Sequence, residues 1–123
     1  MTTYELTFTV EEQHTAAHMG SGTVKVLSTP SMILFMERTA QQLLAQNLPE
    51  GETSVGTLVN VRHLAAAPLG AQIRVHAEIE ERDGPRVRFS VEAWYGEKQI
   101  GIGQHERFII NEARFLERLQ KDL

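Results

Sequence analysis

The stretch from Pro30 to about Asn47 is the one long helical pattern in the chain, and it is apolar on most sides. Met32, Ile33, Leu34, Phe35, Met36, Ala40, Leu43 and Leu44 cover so much of the circumference that packing on a flat sheet would leave a large apolar area in water. Such a helix has to be wrapped. Thr29 stands as its expected N-cap and Pro30 at its first helical position, where a missing N–H costs nothing. "NLPEGE" ends it.

The rest of the sequence supplies strands to do the wrapping. "YELTFTV" alternates like a short strand ahead of the helix. An irregular stretch follows from Glu11 to Ser28, contains "HMGSG", and is long enough for a functional loop or lid. After the helix come four strand-like segments, Ser54 to Leu64, Ala71 to Glu81, Arg86 to Tyr95 and Gln99 to Asn111, joined as a meander through "AAAPLG", "RDGP" and "GEK". Ile73, Val75, Ala77, Ile79 and Val87, Phe89, Val91, Ala93 fall at period two, so each middle strand buries one face. Glu112 to Leu123 closes the chain with Phe115, Leu116 and Leu119 at helical spacing.

One apolar helix and a run of long antiparallel strands predict an α+β hot-dog fold, a curved antiparallel sheet wrapped around a central helix. Its outward edges are expected to pair with a second chain. The rival is a helix lying on one face of a cone-shaped, cystatin-like sheet. At 123 residues the chain fits a single domain, residues 1–123, with one modest core. The formal net charge of −4 argues against nucleic acid as a partner. No apolar run approaches the length of a membrane span and the N-terminus lacks an export pattern, so a cytoplasmic protein with no membrane partner is expected.

The absence of cysteine removes thiolate nucleophiles, disulfides and Cys-ligated zinc, leaving a carboxylate, a hydroxyl or a bound water as nucleophile. Glu37 is the notable carboxylate: it shares a helical stripe with Ile33, Ala40 and Leu44. Burying an unpaired carboxylate is costly, so Glu37 has either a partner, such as an arginine at the rim, or a chemical task. In "SVGTLVNVRHL" the series Val55, Thr57, Val59, Val61, His63 is largely apolar and turns His63 inward, as a core histidine or as a proton carrier near the helix. Thr29, besides capping, sits where free N–H groups and the helix dipole favour an oxyanion. His14 and His18 read as ordinary loop residues, with no metal expected, and His76 and His105 as structural strand residues without an evident partner. Arg62, Arg74, Arg82, Arg86, Arg88, Lys98 and Arg107 are either scattered solubilising charge or a basic rim for phosphates.

"STPSMILFMERTAQQLL", "EGETSVGTLVNVRHLAAAPLG", "IGIGQHERFII" and "ARFLERLQK" together resemble the fluoroacetyl-coenzyme A thioesterases of the hot-dog superfamily, over about Val26 to Lys121. The resemblance implies an acyl-CoA thioesterase whose catalytic set is Thr29, Glu37 and His63. It also implies that Gly56 and Arg107 bind substrate, and that the enzyme is a homodimer with sites near the subunit interface; whether two dimers pair into a tetramer is left open. No cofactor is expected beyond the coenzyme A of the substrate. Where the fluoroacetyl-specific member carries a longer, aromatic-rich lid, this chain has only "HMGSGTVKVL". The expected substrate is therefore a short or medium acyl-CoA, in a pocket set by Met32, Phe35, Met36 and the Glu11 to Ser28 loop. A non-catalytic acyl-CoA-binding module would keep the pocket without needing the three catalytic side chains, and a hydratase of the same fold ranks below it.

Overall fold

The computed structural model describes residues 2–123. Strand β1 (Thr3–Thr9) leads through a tight turn and a short helix α1 (Ala16–Met19) into the long helix α2 (Thr29–Ala45). Strands β2 (Glu52–His63), β3 (Gln72–Asp83), β4 (Arg86–Tyr95) and β5 (Lys98–Asn111) follow, and helix α3 (Glu112–Lys121) closes the chain. The five strands form one curved antiparallel sheet in the order β1-β3-β4-β5-β2, with α2 packed against it, which is the hot-dog architecture.

Only β3, β4 and β5 form the expected meander. Each of their two connections starts on a glycine with φ of 60°, Gly84 and Gly96, a conformation that a Cβ would strain. The segment after β2 instead carries the chain across the sheet, so β2 pairs with β5 at one edge and β1 with β3 at the other. Val26 bridges Pro68 on that crossing, and Thr15 bridges Leu27, so part of the stretch from Glu11 to Ser28 is tied down and only its tip is free of pairing.

Packing against the sheet buries one face of α2. Met32, Phe35, Met36, Ala40, Leu43 and Leu44 lie against Ile73, Val75 and Ala77 of β3, Val87, Phe89, Val91 and Ala93 of β4, and Ile100 of β5. Each large side chain removed from water contributes about 1.5–3 kcal/mol. Phe35 also stacks on Phe8 of β1, with ring centroids 4.3 Å apart. The opposite face is not wrapped: Leu34 is 42% exposed, and Ile33 and Glu37 are half-buried.

Two glycines of β5 set how closely its neighbours approach. A Cβ on Gly101 would fall 2.5 Å from the Met32 Sδ, whereas one on Gly103 would meet the Val61 Cα at 2.5 Å and run into the Asn60 carbonyl oxygen. A thioether can swing aside; backbone of the neighbouring strand cannot. Gly103→Ala is accordingly expected to destabilise by about 1–3 kcal/mol, and Gly101→Ala by less, in urea denaturation with the two variants side by side.

Candidate active site

Helix α2 and its cap each begin one residue earlier than expected. Ser28, not Thr29, is the N-cap, and its hydroxyl accepts a hydrogen bond from the Ser31 N–H at 3.2 Å. Thr29 therefore occupies the first helical position with its side chain free for another partner. Thr29 Oγ1 lies 2.8 Å from Nδ1 of His63, at the end of β2. Whichever atom donates, Nδ1 is engaged and Nε2 is left over, and that Nε2 is buried without a hydrogen-bond partner. Burial lowers the pKa of His63 from its ordinary value, and the nearby Ala65 backbone opposes that shift. Val26, Leu27, Thr29, His63, Leu64, Ala65 and Ala66 line an open cleft of about 290 Å³ here.

Glu37 is on the same helix two turns further on, about 12 Å along the axis. It borders a second open cleft of about 260 Å³ with Leu34, Arg38, Gln41 and Arg107. Within one chain, then, Thr29 and His63 come together and Glu37 stands apart from them. Its neighbours are Gly56, His105 and Arg107: the position a Cβ of Gly56 would take is 3.0 Å from Glu37 Oε2, 3.4 Å from His105 Cε1 and 3.5 Å from Arg107 Nη1. Any side chain at position 56 would fill that space. The carboxylate of Glu37 has no ion pair among the described residues.

A β-bulge brings this second group together. The pairing of β2 with β5 slips between Gly56 and Leu58, leaving Thr57 extra, its hydroxyl donating to Glu106. The slip inverts the parity of the strand. Ser54 and Gly56 before the bulge share a face with Val59, Val61 and His63 after it, so the continuous series from Val55 expected of an unbroken strand does not exist.

Three further expectations are corrected. Arg107 does not sit on a phosphate-binding rim: it is 7% exposed and donates from Nε to Ser54 Oγ at 2.7 Å and from Nη2 to the Ser54 carbonyl at 3.0 Å. Burial lowers its pKa, and Glu37 opposes that shift. Met32, Phe35 and Met36 are sealed in the core and reach neither cleft, because they belong to the helix face turned toward the sheet. His105 is no isolated strand residue, since it bonds Leu58 and Arg107, and His76 stands 3.8 Å from Glu5. Among the other basic residues, Arg74, Arg86 and Arg88 pair with surface glutamates, the solubilising reading. Sequence reasoning missed His105 and Ser54; their one signal was the shared parity of His105 with Arg107.

The family model described as fluoroacetyl-CoA-specific thioesterase matches residues 10–113. The chain belongs to that family. A fluoroacetyl-CoA thioesterase of Streptantibioticus cattleyicolor is 37% identical over 91 residues, which span 74% of this chain and 66% of the relative. The solved structure of the fluoroacetyl-CoA thioesterase FlK superposes with a TM-score of 0.90 at 30% identity, covering 98% of this chain and 94% of that one. An FlK variant was solved in complex with acetyl-CoA. A Thermus thermophilus hypothetical protein, a thioesterase superfamily member, gives a TM-score of 0.87 at 31% identity, covering 98% and 91% of the two chains. Thioester hydrolysis is the activity of the family's named members.

Two measurements follow from the helix start and from the histidines. Ser28→Ala is expected to cost about 0.5–2 kcal/mol of stability through the lost cap, and Thr29→Ala to spare the cap, compared by thermal unfolding. His63 and His105 are both held below the ordinary value of 6.5, so the unfolded chain takes up their protons first as pH falls. The stability due to keeping them neutral is complete above pH 6.5 and lost below it, toward their depressed folded values. The urea midpoint is expected to drop between about pH 7 and pH 5, and the drop to shrink in His63→Gln.

Proposed function

We propose that the protein hydrolyses a short or medium acyl-CoA thioester, with Glu37, Thr29 and His63 as catalytic residues, in a site completed by a second copy of the chain. The observation that carries this reading is the Thr29–His63 pair with its idle, buried Nε2, whose threonine stands on the same helix as an unpaired carboxylate. Glu37 removes the proton of the water that adds to the acyl carbon as the carbon–sulfur bond breaks, or Glu37 itself adds there and expels the thiolate, after which water cleaves the resulting anhydride to the free acid and the Glu37 carboxylate. In either course the departing thiolate takes a proton; His63 Nε2 passes protons, its neutral form favoured near pH 7; Thr29 holds the imidazole in place. The bare backbone of Gly56 lets the substrate come close to Glu37. No cofactor is required.

A homodimer accounts for the separation of the two groups. Strand β2 is a sheet edge with Thr57 to Asn60 all exposed, including Leu58 at 47% and Val59 at 39%. Antiparallel pairing of two β2 strands through this exposed stretch reverses their direction and brings the Gly56 end of one copy near the partner's His63. Glu37 of one chain would then face the partner's Thr29 and His63. Each cleft alone falls just below the usual size of a small-molecule pocket, about 300–1,000 Å³, and two joined clefts fall within it. The short segment Gly20 to Lys25 is exposed throughout, which fits a general acyl pocket better than a closed fluoroacetyl-selective one.

Free-thiol release from a panel of acyl-CoA esters tests the activity; binding without release would leave a carrier module. Glu37→Gln is expected to lower kcat by at least about 100-fold with little loss of stability. Full turnover by that variant would end the mechanism. Mixing inactive Glu37→Gln and His63→Ala chains after unfolding and joint refolding is expected to restore about a quarter of parental turnover, because half the dimers carry one intact shared site. A site built within one chain restores none.

A further inference from the structure

We propose that His105 is a positioning residue, which, as its Nδ1–H tautomer, ties the Arg107 guanidinium back from Glu37 and so keeps that carboxylate unpaired for chemistry. The proposal rests on the thioesterase reading above and adds to it a residue that touches no substrate.

The hydrogen bonds leave one consistent assignment. His105 is 1% exposed, and its Nδ1 lies 2.8 Å from the Leu58 carbonyl oxygen, which can only accept. Nδ1 therefore carries the proton. In the neutral ring Nε2 then has its lone pair free, and Arg107 Nη1, which can only donate, points at it from 3.2 Å. The opposite tautomer would set N–H against N–H at one nitrogen and lone pair against lone pair at the other. An imidazolium would set two cations 3.2 Å apart in a buried site. Burial and then Arg107 favour the neutral ring, while the Leu58 carbonyl, Glu37 and Glu106 pull the other way; the net pKa lies below its ordinary value. Phe89 of β4 covers the ring at 6.0 Å between centroids and brings no charge.

The restraint matters because of what Arg107 would otherwise do. Ser54 holds its Nε and Nη2, so the planar guanidinium keeps one motion, a tilt about that edge that carries Nη1, and Nη1 and Glu37 Oε2 both border the small space over Gly56. A guanidinium released into that space would form a charge-assisted pair with the carboxylate, which is the geometry arginine favours. Such a pair would occupy the oxygen needed to attack the acyl carbon or to accept a proton from water. The same histidine also anchors Leu58, just after the bulge, while Arg107 anchors Ser54 before it. The bulged segment is thus held at both ends by one buried polar relay.

Nitrogen-15 NMR of histidine-labelled protein reads the tautomer directly and needs no turnover. The expected spectrum at neutral pH shows a neutral His105 protonated on Nδ1; protonation on Nε2 alone, or on both nitrogens, overturns the proposal. In thiol-release kinetics His105→Leu is expected to lose about 10- to 100-fold in kcat with KM changed by less than about threefold. His105→Gln, which keeps one donor and one acceptor, is expected to regain most of it. A His105→Leu protein with kcat within about twofold of the parent sinks the positioning role while leaving the hydrolase intact. Should His105→Leu fail to fold, His105→Gln decides: kcat near parental supports the relay, and a loss as deep as that of Glu37→Gln overturns it. A parent that releases no thiol from any acyl-CoA ends the hydrolase reading, and with it the catalytic purpose of the relay, whatever the spectrum shows.

Discussion

The burial of one face of α2 against the sheet is the constraint from which the rest follows. Met32, Phe35, Met36, Ala40, Leu43 and Leu44 must leave water together, and once they do the rotation of the helix has no freedom left. That rotation puts Thr29 at the end of β2, where His63 waits, and Glu37 on the shoulder above Gly56. The candidate catalytic side chains are thus placed by apolar neighbours a few residues away. They stand on the boundary of the buried stripe, where a side chain is fixed by packing yet still reaches a cleft.

Around Glu37 the structure replaces the simplest way of stabilising a buried cation with a more elaborate one. Arg107 could have been paired with an acid, and instead its N–H groups are taken by a serine, a carbonyl and an imidazole. Neutral acceptors satisfy a guanidinium's hydrogen-bonding needs without neutralising its charge. A positive field therefore persists beside the carboxylate. The bulge at Thr57 is what allows it, since without the extra residue Ser54 and Gly56 would turn to the outer face.

Much of this was legible in sequence, and the failures have identifiable causes. Helix and strands stood out because periods of 3.6 and two run uninterrupted through Met32 to Leu44, Ile73 to Ile79 and Val87 to Ala93. The family signature singled out Thr29, Glu37 and His63 as candidates; eight residues of helix already imply about 12 Å between Thr29 and Glu37, and only coordinates show which of them His63 meets. Strand β2 defeated parity reasoning: Thr57 is an unremarkable residue, and a bulge shows only when the partner strand is known. Ser28 and Thr29 are both good caps, and only coordinates show which hydroxyl faces the helix N–H groups. Arg107 reads as a surface cation by type, and its burial depends on Ser54 across the sheet.

Gly101 gives the two methionines above it an unusual place in the design. Where a side chain would have risen from β5, the Met32 and Met36 thioether ends settle directly onto backbone. They act as shims beneath the helix, and thioethers adapt to irregular gaps more readily than branched side chains do. Exchanging either for a bulkier or slimmer apolar residue would raise or lower α2 by a fraction of its diameter and carry Thr29 and Glu37 with it. A lineage could in this way retune the width of the clefts beside Thr29 and Glu37 from underneath, by altering residues that line neither of them.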